Sequence, residues 1–458
     1  MAGRSSIHPS KLIALAFTAI ILAGTFLLML PFASTSGKST AFTDALFTAT
    51  SAVTVTGLST LNVETHWNEA GHFIIAILIQ VGGFGIIGFA TLVGFLLEGR
   101  ISLRNKMMTA SEASIAVAPD VKSLLKNIAK VMLVAQFVLF VFLFVRFFSF
   151  YNYSWDKALG HGLFHAISAF NNAGFALYSD NMIRFARDGW IIVPMFLTVI
   201  LASLGFPVIV EIRERFKDAI RARLGKPKVN NFPVQWSLNS RIVLWATLVL
   251  LVGGSTVLAI IEWNNPKTIG NLDPVSKVLD SIFAAVMPRT AGFNAMDMSA
   301  ANPSSWLVMD ILMFIGGASA STAGGIKLGT AVVLAYIVYT EIRGETAVNI
   351  GNRRLPRSIQ RQALTIFALT AFVIIGATLL LRLTTPFTLD QILFEVTSAV
   401  GTTGLSTGIT ADLPEWAKVL VSALMLFGRL GPIVVATSLA MRKTRRHFEY
   451  PKERPLIG

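Results

Sequence analysis

The chain contains no cysteine, which excludes disulfides and thiolate metal sites and leaves the redox compartment unread. Charge is also scarce: 14% of the 458 residues are charged against 53% hydrophobic, and the mean hydropathy is +0.64. A soluble domain carries about 25% charge, so this is the composition of a membrane protein. The six histidines are scattered and no apolar run holds a pair of acids. With no cysteine as well, the sequence offers no catalytic constellation, and the protein is not expected to be an enzyme.

What the chain has in quantity is apolar length. A bilayer core about 30 Å thick takes roughly 20 helical residues to cross. Residues 12–30 hold no charge; 72–97, 191–210, 242–261 and 363–381 repeat the signal, and 128–148, 307–340 and 419–441 do so around isolated ionisable residues. No small-residue cleavage site follows Pro31, so the first run reads as a mature helix and not as a secretory leader.

The net charge of +14 is unevenly placed. Bases gather in alternate connections, around Arg100 to Lys122, Arg213 to Lys228, Arg343 to Arg361, and in the tail from Arg442 to Arg446. This is the positive-inside pattern; it puts both termini in the cytoplasm of a cell-membrane protein and assigns the bases to topology and anionic membrane lipids, not nucleic acid.

An even number of crossings follows, and the eight runs supply it. Four shorter apolar pieces lie between them, at 43–53, 158–170, 277–287 and 389–400. Each is about a dozen residues, roughly 18 Å as a helix, and too short to span. They are expected to enter the membrane and return on the non-cytoplasmic side. The glycines that end them, Gly57, Gly174, Gly292 and Gly404, recur at spacings of 117, 118 and 112 residues, in "SAVTVTGL", "SAFNNAGF", "VMPRTAGF" and "SAVGTTGL". Ser51, Ser168 and Ser398 lie six residues before their glycine and Phe47, Phe164 and Phe394 ten before; the third copy departs at both positions. The pattern is an internal repeat.

Non-helical backbone at membrane depth survives only where protein buries it or water lines it. Four glycine turns around one axis can aim carbonyl oxygens inward as a substitute for an ion's hydration shell, with each short helix pointing its partly negative end at a cation. Asp44, Asp156, Asp280 and Asp390 fall at or near the opposite helix ends, where they compensate the dipole.

These repeats of helix, pore helix, filter loop and helix, with one glycine per loop, resemble the Trk/Ktr/HKT superfamily of potassium transporters over nearly the whole chain. Because the chain begins almost directly with its first repeat, it is similar to the Ktr-type membrane subunit. The resemblance implies an all-α multi-pass membrane protein, with four pseudo-symmetric M1-P-M2 repeats around one central pore. The repeats are read as 1–98, 99–217, 218–345 and 346–458. It further implies potassium-selective uptake, a homodimer, a cytoplasmic ring of nucleotide-binding RCK regulatory subunits of the KtrA kind, and stimulation by sodium. A glycine in all four loops accompanies potassium preference in that family, and the Tyr-Gly of the TVGYG loop of tetrameric channels is missing here. The expected potassium filter comprises Thr54, Val55, Thr56 and Gly57; Asn171, Asn172, Ala173 and Gly174; Arg289, Thr290, Ala291 and Gly292; and Thr402, Thr403 and Gly404.

A second stretch, "IGGASASTAGGIKLG" at 315–329, interrupts the run 307–340 with five glycines, each costing about 1 kcal/mol in a helix relative to alanine. Here alone among the runs a break is expected, with two helical halves joined by a loop beneath the filter. The alternative is a kink packed by small residues. In the resembled family the matching segment is an intramembrane gate, here Gly316, Gly317, Ala318, Ser319, Ala320, Ser321, Thr322, Ala323, Gly324, Gly325 and Lys327. Arg429 resembles the family's barrier arginine; the alternative is a structural ion pair, with Asp310 as one partner.

Other motifs are weaker. "GFGIIG" at 83–88 lies in an apolar run without a preceding strand and reads as small-residue helix packing. "HGLFH" puts His161 and His165 on one helix face but lacks the glutamate of a zinc protease. The rival function is an alternating-access secondary cation symporter, which would show two large repeats and a midplane site in place of four loops at one face.

Overall fold

The computed structural model describes residues 9–84, 121–225, 236–319, 321–351 and 353–431. The helices fall into four successive groups, each a long helix, a short buried helix and a returning helix. The first is α1 (Pro9–Met29), α2 (Phe42–Val53) and α3 (Glu69–Gly83). The second is α4 (Val121–Ser149), α5 (Trp155–Asn171) and α6 (Gly189–Ser203), continued by α7 (Phe206–Arg223). The third is α8 (Leu238–Glu262), α9 (Pro274–Val286) and α10 (Pro303–Phe314), continued by α11 (Leu328–Ile342). The fourth is α12 (Arg357–Thr384), α13 (Leu389–Gly401) and α14 (Glu415–Leu430). A short hairpin, β1 (Asn349–Ile350) with β2 (Arg353–Arg354), joins the third group to the fourth.

Local sequence chemistry sets these boundaries. Asp273 caps α9 through the Ser276 amide with Pro274 in the first turn, and Thr388 with Gln391 forms a capping box on α13. Each short helix packs against the long helix of its own group and against the returning helix of the group before it: α5 on α3, α9 on α6, α13 on α10, and α2 on α14. The last contact joins the end of the chain to its beginning, so the four groups close into a ring around the short helices.

The lipid-facing character is in the long helices. Lys126–Ser149, Leu238–Glu262 and Arg357–Thr384 are each long and apolar enough to cross a membrane. The short helices are buried along most of their length, as Phe47, Phe164, Phe283 and Phe394 illustrate. Phe283 fills the third copy one residue later than the aligned position, where Ile282 stands.

Two expectations need correction. The run 191–210 is not one straight span: α6 and α7 meet at an angle of 107°, so the break between α10 and α11 has a counterpart. The bend sits at Gly205, whose φ of +82° suits glycine, and Pro207 follows in the first turn of α7. Gly431, after α14, has the same φ of +82°. Second, Asp280 is not at the helix end where it would compensate the dipole. It lies in the middle of α9, buried at 1% exposure with neither carboxylate oxygen hydrogen-bonded to protein, and Asp273 holds the cap instead.

Candidate functional site: a ring of four glycine turns

The ends of α2, α5, α9 and α13 converge. A Cβ atom placed on Gly57 would overlap the carbonyl oxygen of Ala173 and stand 3.1 Å from Gly174 Cα. One on Gly174 would meet the Ala291 oxygen at 2.8 Å and Gly292 Cα at 3.0 Å. One on Gly292 would overlap the Thr403 oxygen and stand 3.0 Å from Gly404 Cα. One on Gly404 would overlap the Thr56 oxygen and stand 2.9 Å from Gly57 Cα, which closes the circuit. Each glycine therefore abuts the next turn's backbone, and no side chain fits between.

The backbone around the ring is unusual in the same way four times. The glycines have φ of +97°, +70°, +66° and +97° in chain order. Two residues before each stands a non-glycine residue that is also left-handed: Val55 at +55°, Asn172 at +60°, Thr290 at +81° and Thr402 at +49°. Such a conformation costs roughly 1–3 kcal/mol, and for β-branched valine and threonine it is rare. The residues between, Thr56, Ala173, Ala291 and Thr403, keep ordinary negative φ, so handedness alternates along each turn. Only the surroundings can impose this on four different sequences.

Those surroundings include the serines six residues before the glycines. Ser51 Oγ accepts from the Gly57 amide and Ser398 Oγ from the Gly404 amide, both at 3.0 Å. Ser168 Oγ donates to the Phe175 carbonyl at 2.8 Å. The amides of Thr56, Ala173 and Thr403 donate to the carbonyls of Ser51, Ser168 and Ser398, each at 2.8 Å. The third turn has Val286 where the others have serine, and both Ala291 and Gly292 amides go to the Met287 carbonyl, at 2.9 and 3.2 Å. The sequence repeat carries this signal, but only the structure assigns the serine its work. Further along, Leu177 N donates to His165 Nε2 and Thr410 Oγ1 to Glu395 Oε1. These buried side chains occupy matching positions, nine residues before the glycine, and tie the chain leaving each turn back to its helix.

Several of the predicted filter side chains are hydrogen-bonded to the scaffold, whereas the buried Thr402 hydroxyl has no hydrogen-bond partner among the described residues. Thr54 bonds the Thr50 carbonyl and the Thr56 hydroxyl. Asn171 donates to Gln80 Oε1, which also accepts from Gln136. Asn172 donates to Ser203 Oγ, Arg289 to Thr247 Oγ1 at 3.3 Å, and Thr403 to the Pro288 carbonyl. Asp44, in the first turn of α2, accepts from Lys418 of α14 at 2.8 Å and from Thr60; Asp156 and Asp390 lie in the first turns of α5 and α13. His165 uses both ring nitrogens in hydrogen bonds, with Leu177 N and the His161 carbonyl.

Directly against the ring lies the segment between α10 and α11, non-helical as expected. Gly324 packs so closely on Thr402 that a Cβ would overlap the threonine hydroxyl. The Gly316 amide donates to the Ile326 carbonyl and the Leu328 amide to the Gly317 carbonyl, pinching the loop at its base. Lys327 Nζ donates to the Ala323 carbonyl at 2.5 Å, inside the loop's own turn. Ala318 and Ser321 are held by the Ser203 carbonyl and the Ala318 carbonyl respectively, and Thr322 Oγ1 is 3.4–3.5 Å from the carbonyls of Phe170 and Ala202. Ser319 is part of the same non-helical stretch, and Ala320 lies outside the described residues.

Arg429, 6% exposed, donates to the carbonyls of Thr322 at 2.5 Å and Gly82 at 2.6 Å. Asp310 is not its partner: among the described residues Arg429 is in no salt bridge, and its two Nη atoms go to backbone oxygens of two other groups while its buried Nε has no hydrogen bond. Sequence reasoning misses Ser203. Its carbonyl holds the loop at Ala318 and its hydroxyl holds the second turn at Asn172, from the last residue of α6 before the bend. The Gly-Phe-Pro that follows is the breaker signal that could have drawn attention to it. Of "GFGIIG", Gly83 packs on the Asn171 side chain, as small-residue packing requires, and residues 85–88 lie outside the described residues.

A family model described as TrkH, a cation transport protein, matches residues 4–448. The Ktr system potassium uptake protein B of Vibrio alginolyticus is 34% identical over 448 residues, covering 98% of this chain and 94% of that protein. The protein of the same name from Bacillus subtilis (strain 168) is 34% identical over 452 residues, with 98% and 97% covered. The potassium/sodium uptake protein NtpJ of Enterococcus hirae is 34% identical over 461 residues, with 99% and 98% covered. Among solved structures, the potassium transporter TrkH from Vibrio parahaemolyticus matches with a TM-score of 0.73 at 18% identity, over 96% of this chain and 87% of that one.

Proposed function

Since the chain belongs to the TrkH family of cation transport proteins, we propose that it takes up potassium by a channel-like route through the ring of four glycine turns. It is a membrane transporter of the Trk/Ktr type and not an enzyme. The observation that carries the mechanism is the closed circuit of Gly57, Gly174, Gly292 and Gly404, each within van der Waals reach of the next turn's backbone. On this reading the alternating handedness along each turn serves to bring successive carbonyl oxygens to one side. Four such sides around an axis make a cage of oxygens without side chains. A potassium ion entering from outside exchanges water for these oxygens at little net cost, and the C-terminal dipoles of the four short helices favour its charge. The smaller sodium ion holds its water more tightly and is repaid less by a cage of fixed size. Below the ring, the loop from Gly316 to Lys327 stands in the path, so conduction requires it to move.

On this reading residues 1–98, 99–217, 218–345 and 346–458 are the four units, with both termini in the cytoplasm. The working assembly is a homodimer gated by a cytoplasmic nucleotide-binding ring, and sodium stimulates uptake. The units are read from the glycine repeat and the termini from the placement of the bases; the assembly is what the resemblance to the Ktr type implies, and sodium is supported by the relative named a potassium/sodium uptake protein.

The test is growth of a potassium-uptake-deficient cell on low potassium, with and without sodium. Rescue with potassium flux that rises linearly past the turnover of carriers supports the channel-like route. Rescue with flux saturating at low turnover would point to alternating access instead.

A further inference from the structure

A groove of about 770 Å³ opens at the inner end of the third group, the end of α8 opposite Glu262. It lies where α8 begins, beside α11 and the β1–β2 hairpin, away from the glycine ring. Its chemistry is ordered along the membrane normal. At the mouth stand two arginines, Arg241 of α8 and Arg353 of the hairpin. Both are exposed, and among the described residues neither is in a salt bridge. Among the described residues no carboxylate lines the groove. Glu211 accepts from the amide of Ser237, a lining residue, at 3.4 Å, and Arg215 lies over the ring of Trp236 at 4.0 Å and sets a third positive charge beside that edge.

Deeper in, the lining becomes aromatic and then aliphatic. Trp245, one turn of α8 beyond Arg241, and Tyr336 of α11 line it further in, residue types that collect at the boundary between headgroups and hydrocarbon. Trp245 is 68% exposed, and the same face of α8 continues with Val249 at 64% and Val252 at 55%. The order is cationic, aromatic, aliphatic, running from the aqueous boundary into the bilayer. A soluble protein partner has no reason to match it, because the exposed face of α8 that continues from Trp245 through Val249 and Val252 belongs to a helix long and apolar enough to cross a membrane. A phospholipid matches it end to end.

We infer that this groove binds an anionic glycerophospholipid of the inner leaflet, its headgroup phosphate between Arg241 and Arg353 and its acyl chains against Trp245 and the aliphatic face of α8. Guanidinium groups bind phosphate oxygens in paired, charge-assisted hydrogen bonds. A lipid seated there also touches Tyr336 and Val332 of α11, the helix that begins at the base of the loop under the ring. It braces the inner half of the broken helix, and so the loop.

The experiment uses the full chain purified in detergent, supplemented with phosphatidylglycerol or with phosphatidylcholine of the same acyl chains. Thermal stability and native mass spectrometry are the readouts. The expected result is a melting temperature several degrees higher with phosphatidylglycerol than with phosphatidylcholine, and retained phosphatidylglycerol adducts. Arg241→Ala with Arg353→Ala should remove most of the difference, whereas Arg241→Lys with Arg353→Lys should keep part of it. Arg382→Ala, in the last turn of α12, should keep all of it. Equal effects of the two lipids on the native chain would overturn the proposal, as would an undiminished preference in the double alanine variant. Glycerol 3-phosphate reproducing the whole shift would show a site for free phosphate and not for lipid. Should the alanine pair fail to fold, the lysine pair together with Trp245→Ala decides the matter by adduct retention. None of these readouts depends on ion flux, so they stand or fall apart from the filter.

Discussion

Arg429 reaches across the molecule to Thr322: its Nη1 donates to the threonine carbonyl at 2.5 Å, while Nη2 donates to Gly82 at 2.6 Å. One side chain of the fourth group therefore fastens the loop of the third to the returning helix of the first. Replacing Arg429 by alanine leaves two buried carbonyls without this donor, a loss of about 1–3 kcal/mol each. The expected outcome is a lower melting temperature together with several-fold faster potassium flux per molecule, measured in proteoliposomes. A variant that melts lower but conducts no faster would show that the arginine holds the fold and does not restrain the loop.

Gly57→Ser and Gly292→Ser place a Cβ on a neighbouring carbonyl oxygen and force a side chain into a left-handed backbone. The backbone penalty alone is roughly 1–2 kcal/mol. Discrimination of potassium over sodium should fall by about tenfold or more, read from competition of the two ions for uptake. Unchanged preference in both variants would remove these turns as the filter.

Ser51→Ala and Ser398→Ala delete one hydrogen bond each to a glycine amide of the ring. The backbone stays free to keep its course, so ion preference should weaken less than in the glycine variants, by about fivefold for a loss near 1 kcal/mol. An effect as large as that of Gly57→Ser would mean that the serine hydroxyl meets the ion itself.

Removing most of the segment from Gly316 to Gly325 while joining the pinched base should raise conductance, because that segment packs against Thr402 below the ring. Flux that vanishes while the protein stays monodisperse and folded would contradict its role as an obstruction.

Gly205→Ala strains the elbow between α6 and α7, where φ is +82°. A stability loss of about 1–2 kcal/mol is expected, and altered flux with it, because Ser203 holds Ala318 of the loop and Asn172 of the second turn. Lowered stability with unchanged gating behaviour would confine the elbow to a scaffold role.

The four short helices are legible in the sequence to within a few residues because they are a matter of length: a dozen or so apolar residues end too soon to cross a bilayer. The break in the third group is legible because glycine disfavours helix locally. The elbow at Gly205 is not, since one glycine within an apolar run is a weak signal until its φ is known. The dipole-compensating place expected of Asp280 near the start of its helix fails for a related reason. Asp273, earlier in the same connection, is an equally suitable capping residue, and only the helix start at Pro274 chooses between them.

Composition and periodicity alone determined the membrane class, the fourfold repeat and the glycines that mark it, because these follow from solvent, length and the absence of a side chain. The left-handed course of Val55, Asn172, Thr290 and Thr402, the grip of Arg429 on backbone oxygens, and the closure of the ring from Gly404 to Gly57 were decided only in three dimensions. Local sequence disfavours such backbone at valine and threonine, and what holds it there is packing between turns that lie far apart along the chain.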